Sequence, residues 1–281
     1  MAQRRSTGSC ARPRPLTSLP GVFPRLASSV SLLRPAPGPA GSSFIQRAGD
    51  SLMFTPFHII KAGIGRLRRP AFDARAAVEL ARFGLPFFPA TRYALAPSAL
   101  LTVVNDVMIN GRRTIVELGS GYSSVYLARA LDLIGAADGR IFTVDADPDW
   151  LNLVIDRAAA AGVGDRITPV LATIRRQEGL GDWYDREAIM EALGARSIDL
   201  LLVDGPVASG PQRQEARAPA AQALKNALGA RCAIYLDDVH RPSHARIAAR
   251  WGELLGLHFT EHHARGGFAY AARGDAFDPI I

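Results

Sequence analysis

The sequence predicts an α/β fold in which a doubly wound, mostly parallel β-sheet carries helices on both faces. From residue 114 onward, short runs rich in β-branched residues alternate with longer segments of helical periodicity. Strands that alternate with helices are typical of a parallel sheet. The chain ends in two strand-like segments joined by Arg265-Gly266-Gly267, which predicts a hairpin and an antiparallel strand at or near one edge of the sheet.

The elements follow one another in a regular order. The predicted strands are TIVEL, RIFTVD, RITPVLA, IDLLLVD and RCAIYLDD, then LHFTEHHA and GFAYAAR in the hairpin. The predicted helices are SSVYLARALDLIGA, PDWLNLVIDRAAAAG, QRQEARAPAAQALKNALG and HARIAARWGELLG, with an irregular insert around DWYDREAIMEALGA. Before the sheet, APSALLTVVNDVMIN predicts a helix that begins behind Pro97, with Ser98 as a candidate cap.

Composition divides the chain into three parts. Residues 1–50 carry seven arginines against one acidic residue, are rich in Ser, Pro and Gly, and are predicted to be disordered. Residues 51–96 predict an N-terminal helical extension, and residues 97–281 predict the main domain. The first segment has the composition of an organelle transit peptide, but a bacterial cytoplasmic protein that starts at Met53 is the favoured alternative.

Charge, cysteine content and hydropathy argue against several classes of protein. The formal net charge is +7, of which +6 falls in residues 1–50, so the rest of the chain is nearly neutral and no nucleic-acid partner is predicted. Cys10 and Cys232 are the two cysteines, which leaves no disulfide framework and favours a reducing compartment. The sequence has no run of about 18 apolar residues, so no membrane span is predicted.

The first strand of the predicted sheet ends in a glycine-rich turn, ELGSGYSS. Gly119 and Gly121 permit a tight turn and a close approach of the backbone to a ligand. A dinucleotide-binding turn would have a third glycine at Ser124 and would not place Glu117 two residues before the first glycine. Glu117 suits a ligand with an ammonium or sulfonium group, and a glycine turn needed only for packing is the alternative.

The second strand ends at Asp145, 24 residues after Gly121. A carboxylate at this position can accept hydrogen bonds from both hydroxyl groups of a ribose. The neighbouring acids Asp147 and Asp149 are interpreted instead as the cap and first turn of the next helix. Glu117, the glycine turn and Asp145 together predict a nucleoside ligand without a pyrophosphate.

Further carboxylates, Asp204 and the pair Asp237-Asp238, follow the fourth and fifth predicted strands. Three carboxylates at one edge of a sheet repel one another unless a cation or a base function accounts for them. Oxygen ligands of this kind suit a hard metal ion. The alternative is that one of them caps the following helix, with Asp238 as the favoured candidate.

The histidines and arginines near these strand ends give weaker predictions. His240 is a candidate general base at the same edge of the sheet. His244 follows it at i, i+4 spacing and His262-His263 lies in a predicted strand, but no cysteine or carboxylate completes a zinc spacing. Arg213 and Arg241 are placed either to bind an anionic group of a substrate or to lie in solvent.

Residues from about 97 to 273 resemble the class I S-adenosylmethionine-dependent methyltransferases. The resemblance is carried by VELGSGYSS, by Asp145, by IDLLLVDGP and IYLDDVHRP, and by the closing hairpin. DGP, followed by QRQEARAPAAQAL and LDDVHR, is similar in particular to bacterial small-molecule methyltransferases that are often found beside glycan or natural-product genes. The resemblance implies a Rossmann-like sheet of seven strands, the last antiparallel, with S-adenosylmethionine over the glycine turn.

The resemblance also implies roles for individual residues. Glu117, Gly119 and Gly121 would line the methionine end of the donor, and Asp145 would hold its ribose. A second, weaker similarity to metal-dependent O-methyltransferases implies magnesium held by Asp204, Asp237 and Asp238. The implied cofactor-binding set is Glu117, Gly119, Ser120, Gly121, Tyr122, Ser123, Asp145, Ala146 and Asp204, and the catalytic candidates are Asp204, Asp237 and His240.

Two features depart from these relatives. The third strand region ends VLATIRRQ, without the acid that binds the adenine amino group in many of them. The metal-dependent relatives often have Asp-Asn after the fifth strand, where this chain has Asp-Asp.

The predicted reaction is O-methylation of a small hydroxylated molecule, with S-adenosylmethionine as cofactor and Mg2+ as an optional one. Residues 51–96 and the WYDREAIM insert are expected to form the acceptor pocket. A nicotinamide-dependent oxidoreductase and a non-catalytic S-adenosylmethionine-binding scaffold are the alternatives. The oligomeric state is left open, with a homodimer as one alternative.

Overall fold

The computed structural model describes residues 56–89 and 91–281, with side chains described from residue 67 onward apart from residue 90. The segment predicted to be disordered, residues 1–50, lies outside the described residues. No helix in the described part combines the length and the apolar character needed to cross a membrane.

Two helices precede the sheet. Helix α1 spans Pro56–Ala81 and helix α2 spans Pro97–Asn110. The prediction that Ser98 caps α2 was wrong, because Ala96 is the cap residue and both the backbone nitrogen and the hydroxyl of Ser98 donate to the carboxylate of Asp73 on α1. A tertiary partner therefore takes the hydroxyl and joins the two helices.

A seven-stranded sheet forms the centre of the fold. The strands of the described residues are β1 (Thr114–Leu118), β2 (Arg140–Asp145), β3 (Ile167–Leu171), β4 (Ile174–Gln177), β5 (Gly181–Tyr184), β6 (Ile198–Val203), β7 (Leu228–Leu236), β8 (Thr260–His262) and β9 (Phe268–Arg273). The order in the main sheet is β3-β2-β1-β6-β7-β9-β8, and β9 runs antiparallel to both β7 and β8. The predicted fold class is confirmed, including the antiparallel hairpin at one edge.

Helices cover both faces of this sheet. They are α3 (Tyr122–Leu133), α4 (Pro148–Ala160), α5 (Arg186–Leu193), α6 (Pro219–Leu224) and α7 (Pro242–Leu255). Strand β6 shows how the two cores are divided, since successive side chains of a strand point to opposite faces. Leu200 and Leu202 join a core that includes residues of α2 and α3, whereas Leu201 and Val203 join a core that includes residues of α6 and α7.

Strand β1 lies at the point where the strand order reverses. It pairs with β2 on one side and with β6 on the other, both in parallel. In open α/β sheets, ligands bind in the crevice at the carboxyl ends of the strands that flank such a point. The turns after β1, β2 and β6 are therefore the place where a ligand is expected.

Two segments differ from the sequence-based assignment. The predicted helix 212–229 is reduced to α6, and residues 211–218 form turns, because Pro219 has no N–H group and is accepted only at the start of a helix. The irregular insert contains the β4–β5 hairpin as well as α5. Both segments lie beside the crevice and supply side chains to it.

Candidate functional site

The glycine turn after β1 packs directly against the turn after β6. Gly119 has φ of +95°, which favours glycine, and a Cβ atom there would lie 2.8 Å from the backbone nitrogen of Gly205. A Cβ atom on Gly205 would overlap the hydroxyl oxygen of Tyr184 and lie 2.8 Å from Cα of Gly119. The absence of a side chain at both positions allows the two turns to meet.

Glu117 lies beneath the glycine turn. Its side chain is fully buried and accepts hydrogen bonds from the hydroxyl groups of Ser123 (2.5 Å), Ser124 and Thr143 (2.7 Å). Burial raises the pKa of Glu117 to about 7, although these hydroxyl groups act in the opposite direction. The carboxyl group thus ties the first turn of α3 to β2.

Asp145 lies at the end of β2. Its Oδ2 accepts hydrogen bonds from the backbone nitrogen and the hydroxyl of Ser120, both at 3.1 Å. Its Oδ1 accepts from the backbone nitrogens of Ala146 (2.8 Å) and Asp147 (3.1 Å). Asp147 in turn caps α4, as its position in the sequence indicated. Asp145 is therefore held by four donors and has a fixed orientation.

A cavity of about 470 Å³ opens over these turns. The predicted cofactor-binding residues that line it are Gly119, Ser120, Gly121, Tyr122, Ser123, Asp145, Ala146 and Asp204. Glu117 is not among the lining residues, so the expected direct contact between Glu117 and the methionine end of the donor does not fit this arrangement. Its burial under the turn is the physical reason.

Residues outside the glycine turn complete the lining of the cavity. Tyr93 comes from the segment between α1 and α2, and Tyr184 comes from the β4–β5 hairpin. Trp150 on α4 lines the cavity and donates a 2.8 Å hydrogen bond from Nε1 to the carbonyl oxygen of Ser120. Arg213, an exposed residue of the turn segment before α6, lines it as well.

The three carboxylates predicted at the ends of the neighbouring strands lie together. Asp204, Asp237 and Asp238 can each present one oxygen such that these oxygens lie within 4.8 Å of one another. Among the three, Asp204 lines the cavity. Burial raises the pKa of Asp204, and burial together with the charge of Asp204 raises the pKa of Asp237 well above its ordinary value.

A buried arginine occupies the centre of this acidic cluster. Arg217 is 5% exposed and donates a 2.9 Å hydrogen bond from Nη2 to Oδ1 of Asp204. Its Nη1 lies 3.3 Å from Oδ2 of Asp238 and donates a hydrogen bond of 3.3 Å to the backbone carbonyl of Asp237. Arg217 therefore contacts all three members of the cluster.

Asp238 does not cap the helix that follows it. It has φ of +66°, and α7 begins four residues later behind Arg241. Its carboxylate pairs with Arg217 and with Arg241 at 3.2 Å, and lies 3.8 Å from Nε2 of His240. The cap interpretation was wrong because ion pairs within the cluster hold this side chain.

The histidines do not form one site. His240 lies beside Asp238, but it is not among the residues that line the cavity. His244 is fully buried, with Nδ1 3.1 Å from the carbonyl oxygen of Asp237, and burial lowers its pKa to about 4. His262 stacks on Phe268, and His263 pairs with Glu261.

Sequence reasoning did not find Arg217, Tyr184 or Trp150. Arg217 lies in a segment that was assigned to a helix surface, where an arginine is ordinarily solvated. Tyr184 belongs to the WYDREAIM insert, which was expected to form part of the acceptor pocket without a motif for any single residue. Trp150 belongs to a helix N-terminus that carried no site motif. The one signal available for Arg217 was the surplus of carboxylates at the strand ends, which requires a positive partner.

One family model matches this chain. Residues 116–239 match the model of a family described as a methyltransferase domain. No match was found among curated proteins. The matched range begins in β1 and ends behind β7, so it includes the turns after β1, β2 and β6. It does not include residues 91–95, the part of the segment between α1 and α2 that carries Tyr93.

Solved structures with a similar arrangement include three methyltransferases. An O-methyltransferase from Bacillus cereus in complex with SAH is 20% identical, with 73% of this chain and 91% of that chain covered and a TM-score of 0.44. The O-methyltransferase TomG from Streptomyces achromogenes, involved in tomaymycin synthesis and in complex with SAM, is 22% identical, with 72% and 90% covered and a TM-score of 0.43. A methyltransferase from Geobacter sulfurreducens is 16% identical, with 73% and 90% covered and a TM-score of 0.44.

Proposed function

We propose an activity for this chain from the premise that it contains a class I S-adenosylmethionine-dependent methyltransferase domain: it transfers the methyl group of S-adenosylmethionine to a hydroxyl oxygen of a small molecule. The observation that carries the proposal is the cavity at the ends of β1, β2 and β6. It combines a glycine turn, a fixed carboxylate at Asp145 and a second carboxylate at Asp204.

The donor would lie over the glycine turn. The four lone-pair positions of Asp145 are taken by four donors, one of which is the rotatable hydroxyl of Ser120. A ribose hydroxyl group would bind by taking the place of the Ser120 hydroxyl. The backbone of Gly119 and Gly121 would approach the methionine part, with the faces of Tyr122 and Trp150 beside it. Glu117 would act from below by holding the turn in shape.

Asp204 is the proposed general base. In an in-line displacement, the acceptor oxygen forms a bond to the methyl carbon, the sulfur–carbon bond breaks, and its electron pair stays on the sulfur of S-adenosylhomocysteine. The acceptor proton would pass to Asp204, whose Oδ1 is fixed by Arg217 while burial raises its pKa toward the range of an effective base. Asp237 and His240, the other predicted catalytic residues, would act through the cluster behind Asp204.

The acceptor would bind between the donor and the residues contributed by the 91–95 segment and the β4–β5 hairpin. Tyr93 and Tyr184 offer aromatic surface, and Arg213 offers a positive charge at the mouth of the cavity. This lining favours a small, planar, hydroxylated acceptor that carries a negative group.

Calorimetry with S-adenosylhomocysteine and with NAD tests the donor. We expect S-adenosylhomocysteine to bind, NAD not to bind, and Asp145→Ala to abolish binding while leaving the melting temperature close to that of the wild type. Asp149→Asn is the matched control, because Asp149 is an exposed acid in the first turn of α4, four residues from Asp145, that does not line the cavity. Binding of NAD alone would favour the oxidoreductase, and donor binding without turnover over a broad panel of phenols and hydroxy acids would favour the scaffold.

The residues present do not fit the magnesium ion that the sequence suggested. Three carboxylate oxygens are close enough for one ion, but Oδ1 of Asp204 and Oδ2 of Asp238 already pair with Arg217. We derive no step through a metal.

A further inference from the structure

We propose that Arg217 is the resident cation of the acidic cluster, that it takes the place of a divalent metal ion, and that it keeps such ions out. This inference deepens the proposed function and rests on it for the role of Asp204. The question of which cation neutralises Asp204, Asp237 and Asp238 is structural. It can be tested without measuring methyl transfer.

The first argument is electrostatic. Three carboxylates within reach of one another need compensation, because an unpaired buried charge is costly. Arg217 supplies one positive charge at 2.9 Å from Asp204 and 3.3 Å from Asp238, and Arg241 supplies a second at 3.2 Å from Asp238. The carboxyl group of Asp237 shares a hydrogen bond with Asp204. The cluster is therefore balanced by groups of this chain.

The second argument is spatial. Arg217 is 5% exposed, and its two terminal nitrogens contact Oδ1 of Asp204, Oδ2 of Asp238 and the backbone carbonyl of Asp237, so the guanidinium already pairs with two of the three carboxylates. A guanidinium is a rigid, permanently charged fork that suits a buried carboxylate pair. A divalent ion bound by Asp204 and Asp238 would compete with the guanidinium for its partners and be repelled by its fixed positive charge.

The third argument comes from the segment that carries Arg217. This segment forms turns instead of the helix expected from its sequence, and the turns end at α6, where Pro219 fixes the chain direction. The main chain before α6 thus brings Arg217 to the end of β6 and β7. Arg217 is a positioning residue, since it touches Asp204 and lies outside the lining of the cavity.

Binding of Mn2+ to the metal-stripped full chain tests the proposal directly. Spectroscopic titration should show no stoichiometric Mn2+ site in the wild type. Arg217→Met should gain Mn2+ affinity of at least about tenfold, because the repulsion from the guanidinium is removed and the carboxylates of Asp204 and Asp238 lose it as a partner. Addition of Mg2+ or Mn2+ should then raise the melting temperature of Arg217→Met and leave that of the wild type unchanged.

Three further variants control the comparison. Arg250→Met removes an exposed ion pair between Arg250 on α7 and Glu215, which lies in the same turn segment as Arg217. This variant should not create a Mn2+ site. Arg217→Lys keeps the positive charge and should resemble the wild type in Mn2+ binding. Arg217→Gln removes the charge but keeps a hydrogen-bonding side chain, and it serves in place of Arg217→Met if that variant does not fold. A stoichiometric Mn2+ site in the wild type that is lost in Asp204→Asn would overturn the proposal, as would Arg217→Met binding Mn2+ no better than the wild type.

Calorimetry with S-adenosylhomocysteine on the same samples distinguishes a failure of the proposed function from a failure of the assignment of Arg217. If the wild type binds neither Mn2+ nor S-adenosylhomocysteine, the proposed function fails and the assignment of Arg217 stands. If it binds both, the donor site is supported and the assignment of Arg217 is overturned.

Discussion

Arg217 holds Asp204 by a 2.9 Å hydrogen bond from Nη2 to Oδ1, and this places a buried positive charge directly behind the carboxylate that faces the cavity. The pair links the turn after β6 with the segment before α6. The hydrogen bond from Arg217 is to Oδ1, and the second oxygen of Asp204, Oδ2, is the proposed acceptor of the proton. The pKa of Asp204 depends on two opposing influences, since burial raises it and the positive charge of Arg217 lowers it.

Asp204→Asn should lower kcat by about 10²-fold to 10⁴-fold, the range typical for loss of a general base. S-adenosylhomocysteine affinity should change little, because Asn keeps the shape of the side chain. The acid limb of the kcat–pH profile, which we assign to deprotonation of Asp204, should disappear in the variant. Steady-state kinetics against pH, with calorimetry on the same protein, measure both quantities, and a matched loss of donor affinity would assign Asp204 to donor binding alone.

Trp150→Phe should remove the fluorescence response to S-adenosylhomocysteine. Trp150 lines the cavity, whereas Trp183 and Trp251 are 0% and 2% exposed and do not line it. The free energy of unfolding should fall by about 1 kcal/mol, because the variant loses the hydrogen bond to Ser120. Trp251→Phe is the control and should keep the full fluorescence change.

The turns could be predicted from the sequence, but the contacts between them could not. Gly119 and Asp145 were identifiable because a strand end followed by glycines, or by an acid, has a local cause. Gly205 gave no such signal, since its need for a missing side chain comes from Gly119 and Tyr184, which are distant in the chain. The helical periodicity of residues 212–218 also gave a wrong prediction, because the turns formed there depend on contacts with other parts of the chain and not on local spacing.

Glu117 shows a second limit of prediction from the sequence, since its importance was predicted but its contacts were not. Its residue type and its place before the turn predicted a ligand contact, but the sequence could not show that Ser123, Ser124 and Thr143 would enclose its carboxyl group. The hydroxyl groups come from α3 and from β2, so the enclosure exists only after these elements pack. The contacts of Arg217 with the acidic cluster likewise could not be predicted from the sequence, because they depend on the turns that residues 211–218 form.

Gly205→Ala should destabilise the protein by about 1–3 kcal/mol, as overpacking commonly does, and should weaken S-adenosylhomocysteine binding. The added methyl group would overlap the Tyr184 hydroxyl and press on Gly119. In a Tyr184→Phe background the overlap with the hydroxyl is removed, so Gly205→Ala should cost less there. Urea unfolding of the four proteins gives the coupling, and equal costs in both backgrounds would contradict this account.

Arg112→Met should lower the free energy of unfolding by about 3–5 kcal/mol, because it leaves a buried carboxylate without its charge partner. Arg112 and Asp106 are 2% and 0% exposed, with Nε 2.8 Å from Oδ1, and Tyr235 donates to the other oxygen at 2.8 Å. Arg113→Met is the matched control, since its pair with Asp138 is more than half exposed and the free energy of unfolding should change much less. Similar losses in both variants would refute the comparison.

Glu117→Gln should remove a pH dependence of stability. The folded-state pKa of Glu117 is about 7, against 4.5 in the unfolded chain, so between these values the folded protein holds a proton that the unfolded chain releases. Stability is therefore highest below about pH 4.5 for this group and is lost as the pH rises through 7. The total loss is roughly 3 kcal/mol for a pKa difference of this size.

Urea unfolding of the wild type and Glu117→Gln at about pH 5 and about pH 8 measures this effect as a difference, in which the other titrating groups cancel. The variant should lose less stability than the wild type over this interval, because glutamine cannot ionise beneath the glycine turn. Parallel losses in the two proteins would mean that the carboxyl group is already ionised at about pH 5 in the folded state. The three hydroxyl donors would then outweigh burial, and Glu117 would hold the turn as a carboxylate.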